Sequence, residues 1–232
     1  MVASYIALLS LLLHLAVSGT LPNDGESRLE DLLFGPNGAN WKIRDFPPPQ
    51  NMNVSLSWSP ILLNELDVEN NDMEMIGWLT LVWQDSRLAW NPQEFGGVES
   101  LNIPQDLLWK PDIEPFNLID RTSFNLNGER KNVVVDHSGS VTDVSAVKIT
   151  SACSMNSDAD EQKCAIKFGS WTYDGRRVNL LLGSADTTEY SENRCWKLNN
   201  LSCNRNVLKY DCCPEPFIDI ECFHDFQKNP QC

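Results

Sequence analysis

Met75-Ile-Gly-Trp78-Leu-Thr-Leu-Val-Trp83 is the stretch of sequence that decides the fold. Its side chains alternate, so that Leu79 and Leu81 share one face of a β-strand while Trp78 and Thr80 share the other. We expect the aliphatic face to be the core and Trp78 to point outward, where it would form an interface or contact a ligand. The alternative for Trp78 is a second buried face of the sheet.

Further β-rich runs follow along the chain, separated by turn residues at the spacing typical of a sandwich. They cover residues 54–58, 131–136, 141–150, 164–173, 178–182, 195–210 and 217–226. A helix is predicted over residues 26–34, because its leucines form an apolar stripe that Gly35-Pro36 ends. No internal repeat or linker interrupts the sequence, so we expect one domain.

The N-terminal segment is typical of a secretory signal peptide. The first 19 residues contain no charged side chain and include an apolar run from Ile6 to Val17. Cleavage is expected near Ser18 or Gly19. An uncleaved membrane anchor is the alternative, but the run is too short to span a bilayer comfortably. We therefore expect residues 1–19 to be a signal peptide, residues 20–232 to be the mature domain, and the protein to be secreted.

Cysteines and charge fit an extracellular chain. Eight cysteines in a secreted sequence favour disulfides over zinc ligands or catalytic thiols. Two sequons predict N-glycosylation at Asn53 and Asn200. The formal net charge of −14 argues against nucleic acid and favours cationic ligands. Acidic surfaces are also common among secreted proteins in general.

The adjacent cysteines of Tyr210-Asp-Cys-Cys-Pro-Glu-Pro-Phe217 are the next distinctive feature. Adjacent cysteines can pair only through a strained eight-membered ring. Here the pair is flanked by two aromatic residues and followed by two prolines, which we interpret as a hairpin tip. A rigid tip with aromatic faces suits a lid over a ligand. The alternative is that Cys212 and Cys213 form disulfides with two distant partners.

Five motifs in order give the chain a family resemblance. They are residues 78–91, residues 108–113, the cysteines Cys153 and Cys164, residues 167–174 and residues 210–217. The chain resembles the extracellular ligand-binding domain of the Cys-loop, or pentameric nicotinic, receptor family. Within that family it is most similar to the soluble acetylcholine-binding proteins. The resemblance implies an all-β, immunoglobulin-like twisted β-sandwich of about ten strands with one N-terminal α-helix.

The resemblance also implies a ligand site between two subunits. The positions that match its principal face are Phe116, Trp171, Tyr210, Cys212, Cys213 and Phe217. The positions that match its complementary face are Trp78, Thr80, Val134, Thr142 and Val144. The implied disulfides are Cys153–Cys164 and Cys212–Cys213. No cofactor and no metal site is implied.

The chemistry of these residues suits a quaternary or protonated amine. Each Trp or Tyr face attracts a cation by about 2 kcal/mol when water is excluded, and a closed lid would exclude it. Phe116 and Phe217 stand where the family usually has Tyr. The two hydroxyls are therefore missing, and we expect a lower agonist affinity or a shifted selectivity.

The remaining four cysteines are unusual for the family: Cys195, Cys203, Cys222 and Cys232. Suppose that Tyr210 faces Phe217 across the lid hairpin. Counting the same number of residues away from this pair along both strands then brings Cys195 opposite Cys232. The same steps leave Cys203 one diagonal position from Cys222. We therefore expect two cross-strand disulfides, Cys195–Cys232 and Cys203–Cys222, that stiffen the stem of the lid.

The resemblance implies a secreted homopentamer that binds acetylcholine-like and nicotine-like cations and has no ion channel. The loop between Cys153 and Cys164 is polar and shorter than in receptors. Together with the end of the sequence at Cys232, this loop leads us to expect a soluble binder that meets no membrane. The alternatives are a non-binding or differently selective pentameric scaffold and the extracellular part of a nicotinic-type receptor.

An enzyme is not expected. His137 and His224 lie in no recognisable nucleophile or metal motif. The carboxylates Asp158, Asp160 and Glu161 are interpreted as a solvated loop, with calcium binding as the alternative.

Overall fold

The computed structural model describes residues 24–35, 45–48, 51–120, 131–156 and 159–232. The predicted signal peptide lies outside these residues. The chain divides into two compact units, one drawn from Met1–Trp41 and Asn91–Glu99 and the other from Lys42–Trp90 and Ser100–Cys232. The expectation of a single domain over residues 20–232 stays a prediction.

The smaller unit contains the predicted helix. Helix α1 spans Asp24–Phe34 and buries Leu29 and Leu33. Two acidic residues in its first turn interact favourably with the positive end of the helix dipole. A short 3₁₀ helix, Pro92–Phe95, belongs to the same unit and is capped by the side chain of Asn91.

The larger unit contains all eleven strands that the described residues form. They are β1 (Met52–Asp67), β2 (Asp72–Gln84), β3 (Ser100–Pro104), β4 (Ile113–Pro115), β5 (Leu118–Asp120), β6 (Asn132–Asp136), β7 (Ser140–Ala152), β8 (Glu161–Ser170), β9 (Val178–Ala185), β10 (Trp196–Tyr210) and β11 (Cys213–Lys228). Two 3₁₀ helices, Ser86–Leu88 and Gln105–Leu107, lie between strands. The strands form a seven-stranded sheet, in the order β3-β6-β7-β2-β1-β9 with β5 beside β7, and a four-stranded sheet in the order β10-β11-β8-β4.

The two sheets pack through a buried aromatic core. Trp58 of β1 lies with its ring centroid 5.7 Å from that of Phe168 on β8. Its indole Nε1 donates a hydrogen bond of 2.9 Å to Nε2 of His224 on β11. All three side chains are fully buried, so they join one sheet to the other. The predicted all-β sandwich with an N-terminal α-helix is confirmed.

Strand β2 follows the alternation that the sequence predicts. Leu79, Leu81 and Trp83 are buried, whereas the side chain of Trp78 is 40% exposed. The residues paired with Trp78 on the neighbouring strands are Ser59 and Ala146, which are too small to cover its ring. The expected outward orientation of Trp78 is therefore present, and the alternative of a second buried face is wrong.

All eight cysteines lie among the described residues and form disulfides, which join the same pairs that we expected from the sequence: Cys153–Cys164, Cys195–Cys232, Cys203–Cys222 and Cys212–Cys213. The alternative in which Cys212 and Cys213 bridge to distant partners does not occur.

The register of the β10–β11 hairpin differs from the one expected from the sequence. Phe217 pairs with Leu208 rather than with Tyr210, and Cys203 lies directly opposite Cys222. Cys195 precedes β10 and Cys232 follows β11, so their disulfide closes the end of the hairpin and does not join paired strand residues. Register shifts near Asn200 and Tyr210 explain the difference, because each one displaces the pairing that follows it.

Candidate functional site

Four aromatic side chains predicted for the principal face lie close to one another. The ring centroids of Phe116 and Trp171 are 6.3 Å apart, and those of Tyr210 and Phe217 are 5.5 Å apart. Trp171 and Tyr210 are 57% and 53% exposed, respectively. Exposed aromatic faces on an acidic chain form a surface that attracts cations.

Three of these rings, those of Phe116, Tyr210 and Phe217, line a cavity of about 130 Å³. Its lining consists of Phe116, Lys167, Ser170, Tyr173, Tyr210, Phe217, Ile218 and Asp219. Nζ of Lys167 lies 3.5 Å from Oδ2 of the buried Asp219, so the two charges balance each other at the cavity wall. The lining therefore combines aromatic side chains with a polar part in which the charges of Lys167 and Asp219 are paired.

The polar residues of this lining were not predicted from the sequence. Lys167, Ser170 and Tyr173 belong to the motif at residues 167–174, and Asp219 follows Phe217 by two residues on the same face of β11. Motif membership and strand alternation could have identified them.

Phe116 is placed by backbone contacts at the end of β4. Its N–H donates a hydrogen bond of 2.7 Å to the carbonyl of Lys167. Its ring lies against Gly169 of β8, where any Cβ would overlap the ring atoms. Glycine at this position therefore allows the ring to lie directly on the sheet.

Asp112 holds the loop that carries Trp171. The Asp112 carboxylate accepts hydrogen bonds from the Ser170 hydroxyl at 2.5 Å and from the Thr172 N–H and hydroxyl at 2.7 and 2.6 Å. The Asp112 carbonyl also accepts the N–H of Trp171 at 3.1 Å. Asp112 lies within the motif at residues 108–113 but was not predicted as a site residue, although its carboxylate fixes the loop on both sides of the indole.

The tip of the β10–β11 hairpin rests on the segment after Trp171. We call residues 207–218, with the Cys212–Cys213 disulfide at their end, the lid. The N–H of Gly175 donates a hydrogen bond of 2.7 Å to the carbonyl of Pro216. The guanidinium of Arg176 donates to the Glu215 carboxylate beside it. These contacts hold the lid in place, and its side chains Tyr210 and Phe217 line the cavity.

The residues predicted for the complementary face lie together on the outer face of the seven-stranded sheet. Thr80 pairs with Val144, and Val134 pairs with Thr142. Val134 and Val144 are 44% and 47% exposed, respectively, and Trp78 lies on the same face. The residues thus lie on the paired strands β2, β7 and β6, where Trp78, Val134 and Val144 are exposed apolar side chains.

A tight turn fixes the register of β6 and β7 beside this surface. Asp136 accepts the N–H of Gly139 through its carbonyl and the N–H of Ser138 through its carboxylate, both at 2.8 Å. Gly139 adopts a φ of 85°, which favours glycine. The Ser138 hydroxyl also donates to the Asp136 carboxylate and holds its pKa below the usual value.

The two predicted faces occupy different sheets of the chain. Phe116, Trp171, Tyr210 and Phe217 come from the four-stranded sheet and the loops next to it. The complementary residues come from the seven-stranded sheet. Within one chain, the principal face and the complementary face are therefore two separate surfaces.

The two predicted glycosylation sites are exposed asparagines on strands. Asn53 Oδ1 accepts a hydrogen bond of 2.8 Å from Nδ2 of Asn179, and Nδ2 of Asn200 donates one of 3.0 Å to Asp225. Their glycosylation stays a prediction. Asp158, which the calcium alternative requires, lies outside the described residues.

The two-sheet sandwich and the aromatic cluster beneath its hairpin tip define a ligand-binding domain. Residues 31–230 match the family described as the neurotransmitter-gated ion-channel ligand binding domain. The chain belongs to this family, whose members are ligand-binding parts of channels and not enzymes.

Curated relatives are acetylcholine receptor subunits. The alpha-type subunit acr-16 of Caenorhabditis briggsae is 34% identical over 219 residues, which cover 92% of this chain and 42% of the relative. The neuronal alpha-6 subunit of Rattus norvegicus is 36% identical over 163 residues, covering 68% of this chain and 33% of the relative. The human neuronal alpha-9 subunit is 31% identical over 174 residues, covering 73% of this chain and 36% of the relative.

The chain spans less than half the length of these relatives. Among the residues that the structure describes, no helix combines the length and the apolar character needed to cross a membrane.

Proposed function

We propose that the chain is a secreted, soluble, pentameric binding protein for acetylcholine-like and nicotine-like cations, and that it forms no ion channel. The observation that carries this proposal is the exposed aromatic cluster of Phe116, Trp171, Tyr210 and Phe217 beside a disulfide-bonded lid. Aromatic faces bind an ammonium group without the desolvation that a buried ion pair requires.

Each ligand would lie between two subunits. The principal face would supply Phe116, Trp171, Tyr210, Cys212, Cys213 and Phe217, and the next subunit would supply Trp78, Thr80, Val134, Thr142 and Val144. The carbonyl of Trp171 would accept a hydrogen bond from a protonated amine. The exposed valines would contact the apolar end of the ligand, with a water bridging to Thr142.

The arrangement of the two faces supports a ring of identical subunits. Because the faces lie on different sheets, contact between them joins unlike surfaces of two copies. Such heterologous contacts form a closed ring when the rotation between neighbours closes. The family resemblance implies that this ring is a homopentamer.

Calorimetry with acetylcholine and with nicotine tests the proposal. We expect saturable binding by the purified protein and loss of binding in Trp171→Ala. The matched control is Phe46→Ala, which removes a similarly exposed aromatic ring outside the predicted site and should bind as the wild type does. A Kd of about 1 mM corresponds to a binding free energy of only about −4 kcal/mol. Absence of binding heat up to that concentration, with either ligand, would contradict the proposal.

Two other functions have specific observations in their favour. The absence of hydroxyls at Phe116 and Phe217 favours a pentameric scaffold that binds cations weakly or with another selectivity. The greater length of the receptor subunits among the relatives favours the extracellular part of a nicotinic-type receptor. Recovery of the natural protein from the extracellular medium, rather than from membranes, would separate the soluble binder from the receptor.

A further inference from the structure

The lid is fastened at its stem and at its tip. We propose that the attachment at the stem limits how far the lid can open, and so restricts the binding site to compact cations and excludes bulky ones. This inference rests on the proposed cation-binding function and specifies the class of ligand that the site accepts.

The first attachment is a disulfide within the stem. Cys203 and Cys222 are directly paired residues of β10 and β11, with Cα atoms 4.0 Å apart. Cys222 is fully buried and also pairs with Ile166 on β8. The disulfide therefore joins β10, an edge strand, to a strand that is itself held in the sheet.

Arg205 provides a second contact at the stem. It pairs with the buried Ile220 and therefore points toward the opposite sheet. Its Nε donates a hydrogen bond of 2.7 Å to the carbonyl of Leu180, and its Nη2 donates one of 2.8 Å to Oδ1 of Asn179. Both acceptors belong to β9, so this side chain fastens β10 to the seven-stranded sheet.

Strand β11, the neighbour of β10, is also held in the sheet almost to the base of the lid. Strand β11 pairs with β8 up to the position where Asp219 faces Gly169. Asn206 donates a hydrogen bond of 2.8 Å to the carboxylate of Asp219, within the same region. Only residues 207–218, the lid, extend beyond these attachments. A hinge for the lid must therefore lie close to its own base.

The attachment at the tip is weaker than that at the stem. It consists of the hydrogen bond between Gly175 and Pro216 and the ion pair between Arg176 and Glu215. The Arg176 side chain is more than half exposed, and exposed ion pairs contribute little to stability. The tip can therefore release while the covalent stem stays closed.

These attachments limit the size of the opening. A hinge near the base of a short lid displaces the tip less than a hinge farther down the hairpin would for the same bend. A compact ammonium ligand needs little opening, whereas a bulky one needs the tip to swing well away from Trp171.

The test compares a compact and a bulky cation. Acetylcholine and d-tubocurarine are titrated calorimetrically into the wild type and into the double variant Cys203→Ala/Cys222→Ala. We expect d-tubocurarine to bind the variant at least about tenfold more tightly than it binds the wild type. Acetylcholine should change by less than about threefold. The ratio of the two dissociation constants is the readout.

Two further variants make the test specific. Cys195→Ala/Cys232→Ala removes a disulfide from the far end of the same hairpin and should leave the ratio unchanged. Arg205→Met removes the contact with β9, keeps all four disulfides and should shift the ratio in the same direction as the stem variant. Arg205→Met also provides the test if the stem variant does not fold.

The outcomes separate this inference from the proposed function. If the wild type binds acetylcholine and the ratio is the same in the stem variants, the size restriction is wrong and the cation site stands. If neither cation binds any of these proteins, the proposed function is wrong and the inference falls with it.

Discussion

At the scale of single residues, the aromatic part of the predicted principal face consists of one tyrosine, one tryptophan and two phenylalanines. Phe217 lies with its ring 5.5 Å from that of Tyr210, yet it cannot donate or accept a hydrogen bond. A phenolic hydroxyl at this position would add a hydrogen-bonding group while leaving the ring face available to the cation. The aromatic and polar contributions to binding can therefore be separated at this residue.

We expect Phe217→Tyr to increase the affinity for acetylcholine. One added hydrogen bond contributes about 0.5–1.5 kcal/mol, which corresponds to roughly a two- to tenfold lower Kd. Calorimetry measures the change, and Phe46→Tyr is the control for a hydroxyl added to an exposed ring elsewhere. An unchanged or weaker affinity in Phe217→Tyr would show that the missing hydroxyl does not limit binding.

His224 is the residue that links stability to pH. It is fully buried between the sheets, where its Nε2 accepts the hydrogen bond from Trp58. Burial lowers its pKa from 6.5 to about 4. The folded protein therefore keeps the imidazole neutral under conditions in which the unfolded chain protonates it.

We expect the contribution of His224 to stability to be complete above pH 6.5 and to decrease as the pH falls toward about 4. The unfolded state takes up the proton first, so acidification favours unfolding by about 2–3 kcal/mol over this range. Urea unfolding at several pH values measures the slope.

The control for this pH dependence is His224→Gln, which can still accept a hydrogen bond but does not titrate. Its free energy of unfolding should change less between pH 6.5 and 4 than that of the wild type. Equal slopes would assign the acid sensitivity to carboxylates instead.

At the scale of elements, alternation within a strand was predictable and pairing between strands was only partly so. The sequence of β2 alone predicts which of its side chains face the core, because successive side chains of a strand point to opposite faces of the sheet whatever the partner strand is. The register of β10 against β11 depends on irregularities near Asn200 and Tyr210, which no residue pattern indicates. The predicted cysteine pairs nevertheless agree with those of the structure, since the true register moves Cys203 directly opposite Cys222.

Short elements were the ones that the sequence did not reveal. Strand β4 has 3 residues, too few for alternation to be recognised, whereas β3 has 5 but lacks the run of valines by which the equally short β6 was predicted. Their partners β6 and β8 define them as strands through tertiary pairing. The aromatic residues of the candidate site could likewise be taken from motifs, whereas the hydrogen bonds that the Trp171 loop donates to Asp112 depend on tertiary structure and could not.

We expect Asp112→Asn to weaken acetylcholine binding without unfolding the domain. The amide provides one acceptor oxygen where the carboxylate provides two, so the loop loses part of its charge-assisted support on one side of Trp171. The loss should be about 1.5–3 kcal/mol at most, and it should appear mainly as faster dissociation. Stopped-flow fluorescence measures the rates.

The matched control for the loop is Asp186→Asn. Asp186 also accepts a backbone N–H and a hydroxyl, both from Thr188, in an exposed turn outside the predicted site. The Asp186→Asn substitution should leave the rates of acetylcholine binding and dissociation unchanged. Similar effects of both substitutions would argue that Asp112 has no specific role in positioning Trp171.

At the scale of the whole molecule, the outer face of the seven-stranded sheet is central to the proposed assembly. Its exposed apolar residues, Trp78, Val134 and Val144, form a patch that assembly would bury. An outward tryptophan is the type of side chain that contributes most to interfaces. The same surface would form half of every binding site, so assembly and ligand binding depend on it together.

We expect Trp78→Glu to convert the proposed pentamer into monomers while the sandwich stays folded. The substitution removes a tryptophan, and loss of such a side chain from an interface typically costs about 2 kcal/mol or more of binding free energy. It also adds a negative charge to a chain whose formal net charge is already −14. Leu182→Glu is the control, because Leu182 is 41% exposed on the same sheet but pairs with the inward-facing Leu56. Sedimentation velocity measures the assembly, and circular dichroism verifies the fold. A pentamer that persists in Trp78→Glu would place the subunit contact on another surface, and with it the complementary half of the cation site.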